Sequence, residues 1–124
     1  MKVVLELPEP PSANRYWRMA RGRLYASSEA KAYKAEVVEL ARQAGYRKKG
    51  LFPFPKGVPI VVTVAWYRSR RMGDLDNRLK IVMDALNRVL WADDMQIVEL
   101  HAYRYDAPKA GALHLTVEES RSHV

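Results

Sequence analysis

Strand-like and helical apolar patterns succeed one another along the chain, and their order predicts its elements. Val3, Leu5 and Leu7 alternate with second-face residues over 2–7 until Pro8, Pro10 and Pro11 stop the strand. The stretch that follows, from Ser12 to Arg23, reads as a loop. Ser27 or Ser28 can cap a helix with Glu29 in its first turn. Tyr33, Val37, Leu40, Ala41 and Ala44 then recur at helical spacing as far as Gly45, which offers a left-handed stop. Residues 46–57 mix Arg47, Lys48 and Lys49 with Gly50, Pro53, Pro55 and Gly57, which suits neither pattern and predicts a second loop. Val58 to Tyr67 is the most β-prone run and takes the place of a central strand. A basic turn from Arg68 to Gly73 leads into Asp74-Leu75-Asp76-Asn77 and a second helix from about Arg78, whose stripe is Leu79, Met83, Leu86 and Leu90, widened by Val82 and Val89. Gln96 to Tyr105 and Ala112 to Val117 read as two further strands, with Pro108 and Gly111 marking the turn between them.

This order, β-α-β-α-β-β, predicts a single α+β domain over residues 1–117 with a four-stranded mixed sheet and two helices, followed by a polar tail at 118–124. A length of 124 residues leaves room for one core and not two. No apolar run approaches a bilayer span, and Glu6 and Pro8 interrupt the first one too early for a secretory signal, so a cytoplasmic protein with no membrane partner is expected.

With no cysteine and three scattered histidines, a Cys/His zinc site is excluded, and any metal must be held by oxygen. Lys and Arg number 21 against 14 Asp and Glu, a formal charge of +7 that favours a polyanionic partner. Arg15, Arg18, Arg21 and Arg23 interleave with Tyr16 and Trp17, a mixture suited to phosphate and base contact, although for two rings beside a proline run anchoring the loop into the core is the favoured role over stacking. Trp66, Trp91, Tyr103 and Tyr105 read as packing residues, and His101 and His114 as structural residues without partners.

The chemistry concentrates between Arg68 and Asp94. Asp74 and Asp76 are separated by one residue, so in an extended segment their carboxylates point the same way. Two such oxygens can share magnesium, which keeps several waters and completes its shell with substrate phosphate. A plainer account is also available: one aspartate caps the second helix, Lys80 pairs with Asp76 or Asp84, and Asp93-Asp94 is a solvated turn.

The stretch Asp74-Leu75-Asp76-Asn77-Arg78-Leu79-Lys80, continuing to Asp84-Ala85-Leu86 and Trp91-Ala92-Asp93-Asp94-Met95-Gln96-Ile97, resembles the signature of the RusA-type Holliday junction resolvases. Pro10-Pro11-Ser12-Ala13-Asn14-Arg15-Tyr16-Trp17-Arg18 is similar to that family's other characteristic patch. The resemblance implies a homodimeric, magnesium-dependent endonuclease of bacterial or phage origin that resolves four-way DNA junctions by paired nicks in recombination and repair, without a nucleotide cofactor. It implies Asp74, Asp76 and Asp94 as metal ligands, Lys80 as a further catalytic residue, and a secondary part for Asp93. Asn14, Arg15, Arg18, Arg68, Arg70 and Arg71 are the expected DNA contacts. One departure stands out: Gly73 occupies the place where an arginine is expected before the first aspartate.

A cation on these aspartates would acidify an attacking water and shield the phosphate, with Lys80 meeting the charge that builds on the phosphoryl oxygens. If the second helix ran from Asn77 to Leu90, it would carry the chain roughly 20 Å from Asp76, and the four residues left before Asp94 would span roughly 14 Å. Unless the helix ends early, near Leu86 or Asn87, a site shared across a dimer is the expected way around that gap. The rival readings are a non-catalytic basic DNA-binding module and a nuclease for forks or flaps.

Overall fold

The computed structural model describes residues 1–11, 17–20, 22–46 and 51–121, the stretches 17–20 and 23–26 through their backbone alone. The chain runs β1 (Lys2–Leu7), β2 (Trp17–Ala20), β3 (Arg23–Ala26), α1 (Ser28–Gln43), β4 (Ile60–Arg68), α2 (Leu75–Leu86), a 3-10 turn (Asp94–Gln96), β5 (Ile97–Asp106) and β6 (Ala112–Glu119). The main sheet has the order β1-β6-β4-β5. β4 and β5 are parallel, joined by a crossover through α2, and the other pairs are antiparallel. The expected α+β architecture is the one observed.

Core formation follows from alternation. Val3, Leu5 and Leu7 on β1, Ile60, Val62, Val64 and Trp66 on β4, and Leu113, Leu115 and Val117 on β6 are buried together with Ala30, Tyr33, Val37 and Ala41 of α1 and Ile81, Val82, Ala85 and Leu86 of α2. Both helices therefore cover one face of the sheet, and the other face is left open. Ser27 caps α1 by accepting from the Ala30 amide at 3.2 Å, and Gly45 follows the helix at φ 80°. The Tyr33 hydroxyl donates to the Pro8 carbonyl at 2.9 Å and ties the proline segment to α1.

Four local expectations are corrected. The span read as a loop contains the hairpin β2-β3, in which Trp17 pairs with Ala26 and Ala20 with Arg23. Gly22 at φ 74° supplies its turn, and arginines in both strands hide the alternation. β6 continues through Glu118 and Glu119 because both pair across to β4, so the strand takes two residues assigned to the tail. α2 starts at Leu75, before Arg78, which puts Asp74 at the N-cap and Asp76 in the first helical turn rather than in one extended segment. α2 also ends early: Asn87 leaves the helix at ψ 128° and Arg88 turns at φ 64°, while Val89, Leu90 and Trp91 are buried from the turn. The helix then carries the chain only about 15 Å from Asp76, and residues 87–94 can span roughly 27 Å. The length argument for a site shared between subunits falls away.

Gln96 closes this turn. Its side-chain oxygen accepts from the Ala92 and Asp93 amides, both at 2.9 Å, and its Nε2 lies 3.2, 2.9 and 3.0 Å from the carbonyls of Phe54, Pro55 and Val58. A buried amide with this many backbone partners is costly to replace, because those partners lose both water and their bond. Gln96→Leu is expected to lower unfolding free energy by about 2–4 kcal/mol. Urea denaturation measures it, and a loss below about 0.5 kcal/mol would show that the turn holds without the amide.

Candidate functional site

The inward alternation of β4 ends on a cation. Arg68 follows Trp66 on the covered face and is buried. Its Nε donates to Asp106 Oδ1, its Nη2 reaches Asp106 Oδ2 at 3.5 Å, and its Nη1 donates to the Gly73 carbonyl at 3.3 Å. Asp106 stands opposite Arg68 in the parallel register. The hydrogen bond from Arg68 holds the Asp106 carboxyl below the usual carboxylate range, with the charges of Arg68, Arg71 and Arg104 acting in the same direction. The same bond raises the Arg68 guanidinium above its ordinary value. Arg68, expected among the DNA contacts, is thus engaged in closing the turn, whereas Arg70 and Arg71 are exposed on it. From the other side the Glu9 carboxylate accepts from the Ser69 amide at 3.2 Å.

Gly73 adopts φ 100°, a conformation that suits glycine. A Cβ there would lie 3.2 Å from the Trp66 ring and 3.3 Å from the Arg78 guanidinium. The space beside this residue is taken by Arg78, whose guanidinium sits 5.1 Å from the Trp66 ring centroid and donates through Nη1 to the Pro10 carbonyl. Partial burial pulls the Arg78 guanidinium down from its usual value, and the Glu9 charge works against that. One side chain of α2 thereby binds the central strand and the Pro10-Pro11 segment. A cleft of about 310 Å³ opens between that segment, Ser69, Arg70 and Arg78.

At the amino end of α2, Asp74 occupies the N-cap position with extended backbone, yet its side chain accepts no capping hydrogen bond. Asp76 follows in the first turn, and both are exposed. Neither carboxylate has a side-chain partner among the described residues, and Lys80, one turn further on, forms no ion pair with Asp76 or Asp84. The helix macrodipole favours negative charge at this end. Asp93 does the structural work of the next turn: its Oδ1 accepts from the Met95 amide at 2.9 Å in a capping box with Gln96. Asp94 is exposed, with Oδ1 accepting from the buried Trp91 indole at 2.8 Å. Among the described residues no three of His, Asp and Glu gather into a metal-sized group, so Asp94 is not brought to Asp74 and Asp76.

Asn14 and Arg15 lie outside the described residues, as do Tyr16 and Arg21, and Trp17, Arg18 and Arg23 are placed by backbone alone. Arg78, Asp106 and Glu9 were not singled out by the sequence pattern. Arg78 lay inside the acidic motif without a role. Asp106 was findable in principle, since a parallel β4-β5 pairing sets the last residues of the two strands side by side.

A family profile described as "Endodeoxyribonuclease RusA" matches residues 8–118. The crossover junction endodeoxyribonuclease RusA of Escherichia coli strain K12 is 34% identical over 117 residues, covering 93% of this chain and 92% of that protein. Proteins of the same name from Shigella sonnei strain Ss046 and from Enterobacteria phage 82 are also 34% identical with the same coverage. No helix among the described residues is long and apolar enough to cross a membrane.

The Arg68–Asp106 bridge makes a pH-dependent contribution whose sign is set by the lowered Asp106 carboxyl. That contribution is full above the ordinary carboxylate value of 3.8 and is lost as pH falls through the lower folded value. Asp106→Asn is expected to melt earlier than wild type at pH 5–7, with the gap closing below about pH 3.8. Melting curves against pH check this, and a gap that stays constant to the lowest pH would remove the charge from the account.

Proposed function

The chain belongs to the RusA endodeoxyribonuclease family, as the match over residues 8–118 shows, and on that premise we propose that it is a magnesium-dependent endonuclease that resolves four-way DNA junctions by paired nicks. The observation that carries the reading is Asp74: it stands where a helix-capping aspartate stands but leaves its carboxylate off the backbone, one residue from a second exposed carboxylate. A cap alone accounts for neither side chain. Two exposed oxygen donors fit a hard cation that keeps most of its waters and takes further ligands from substrate phosphate.

In this proposal Asp74 and Asp76 hold the cation; Asp94, which the described residues do not bring to them, is assigned as the third carboxylate by the family resemblance alone, with one oxygen already bonded to the Trp91 indole. When bound, magnesium supplies Lewis acidity toward the scissile phosphate and an attacking water. Lys80 offers an ammonium to the charge that develops on the phosphoryl oxygens. Arg70 and Arg71 neutralise neighbouring phosphates, with Asn14, Arg15 and Arg18 as further contacts, while Arg68 holds the basic turn in shape. The formal charge of +7 agrees with a polyanionic substrate. Two symmetric nicks suit a two-fold homodimer. Its place of action in this reading is recombination and repair in the cytoplasm of a bacterial host or of a phage-infected cell.

Asp76→Asn is expected to lower nicking of a synthetic four-way junction in magnesium by at least about 100-fold, the scale of losing several kcal/mol of metal-supplied stabilisation. Junction binding in the same gel assay should stay equal or tighten, because a repulsive charge is removed and every arginine remains. Asp93→Asn should be milder than Asp94→Asn, since asparagine also caps. Near wild-type nicking by Asp76→Asn would sink the assignment, and equal cutting of fork, linear duplex and junction would sink the junction preference.

A further inference from the structure

The sheet face that the helices leave open carries a row of rings. Side chains alternate along a strand, so Tyr67 of β4, Tyr103 and Tyr105 of β5, and His114 of β6 all lie on the face opposite Trp66, Arg104 and Leu113. Register sets Tyr105 beside Tyr67. The Tyr67 and Tyr105 ring centroids are 5.1 Å apart with planes at 25°, those of Tyr103 and Tyr105 are 6.4 Å apart at 16°, and His114 lies 4.8 Å from Tyr67. Tyr103 and Tyr105 are 47% and 48% exposed, which contradicts their expected role as packing residues. Nor is His114 without a partner, since its Nε2 lies 3.7 Å from Glu6.

Charge around the row is uneven. Tyr67 is followed directly by the basic turn, whose Arg71 comes within 3.7 Å of Asp106, the residue after Tyr105. Exposed Arg70 and Arg71 thus border one end of the rings. Glu99 and Glu118, the latter with Lys2 opposite it, stand on the same open face toward the other end, and Glu6 stands beside His114. A polyanion crossing the rings is held at one end and repelled at the other, so its backbone is directed toward the turn that precedes Asp74.

We propose that Tyr67, Tyr103, Tyr105 and His114 form a DNA subsite that takes unpaired bases by stacking, while Arg70 and Arg71 hold the adjoining phosphates. Every base has a π-face, so such a row accepts any sequence but only bases that have left the duplex stack. Opened bases at a branch point meet that condition and an intact duplex does not. The subsite gives the chain a means of selecting branched or single-stranded DNA that is separate from its carboxylates. This inference rests on the nuclease reading above.

The test is fluorescence anisotropy of the full chain in chelator with two labelled 15-nucleotide strands, oligothymidylate and an abasic strand with the same phosphates. Wild type should bind the abasic strand roughly tenfold or more weakly. Tyr103→Ala/Tyr105→Ala should lower thymidylate binding to the abasic level with an unchanged salt slope, and Tyr103→Phe/Tyr105→Phe should restore it. Equal binding of both strands by wild type, or an alanine variant that binds like wild type, overturns the subsite. So does sedimentation showing that the alanine variant alone falls from dimer to monomer, which would give this face to a second copy. Junction nicking in magnesium separates the two claims. Nicking by wild type without base-dependent binding overturns the subsite only, while base-dependent binding without any nicking overturns the nuclease reading and leaves the subsite standing.

Discussion

Everything about the acidic end of α2 depends on where Arg78 places its guanidinium. Stacked over Trp66 and bonded to the Pro10 carbonyl, it ties the helix to the central strand and to the proline segment at once. A partly desolvated cation–π contact contributes about 1–2 kcal/mol, and the bond to the carbonyl adds to it. Gly73 is the condition for this arrangement, since a side chain at that position would crowd the same ring and guanidinium while requiring φ 100°. Glycine, where the sequence resemblance leads one to expect arginine, is thus the residue that suits this local packing. Asp74 and Asp76 follow directly and inherit their position from it.

Around that point three surfaces divide the work. Exposed carboxylates stand at the amino end of α2, exposed arginines stand on the turn before it, and aromatic rings occupy the open face beyond. The Arg68–Asp106 bridge and the Glu9 contact to Ser69 hold the turn between them. The buried Arg68 and half-buried Arg78 maintain the shape, and the exposed Arg70 and Arg71 remain available for phosphate. In a chain with a formal charge of +7, this distinction matters more than the count of basic residues.

Much of this was legible before the structure. The order of strands and helices follows from apolar periodicity, and the Asp74-Leu75-Asp76-Asn77 run marks the start of the second helix, although it forms an N-cap position and first turn rather than an extended segment. Arg68 reads with Arg70 and Arg71 as one basic patch, yet the alternation Ile60, Val62, Val64, Trp66 points the next inward side chain at position 68. The hairpin was hidden because arginines on both strands mask its period. The end of α2 is left open between Leu86 and Leu90, because Val89 and Leu90 keep the apolar stripe going past Leu86 while the backbone turns at Arg88. Asp106 and the tyrosine row depend on which strands are neighbours, and Gln96 on the loop that folds against its turn, neither of which local patterning reveals.

The central claim is that Asp74 and Asp76 bind a divalent cation at the start of α2. Its most direct test is nuclear magnetic resonance of the isotope-labelled chain titrated with substoichiometric manganese, a paramagnetic substitute for magnesium. The account predicts saturable broadening centred on the amides around Asp74 to Asn77, reaching Lys80, and lost in an Asp74→Asn/Asp76→Asn variant that keeps its other resonances in place. Broadening centred instead on Glu118 and Glu119, or unchanged in that variant, would contradict it.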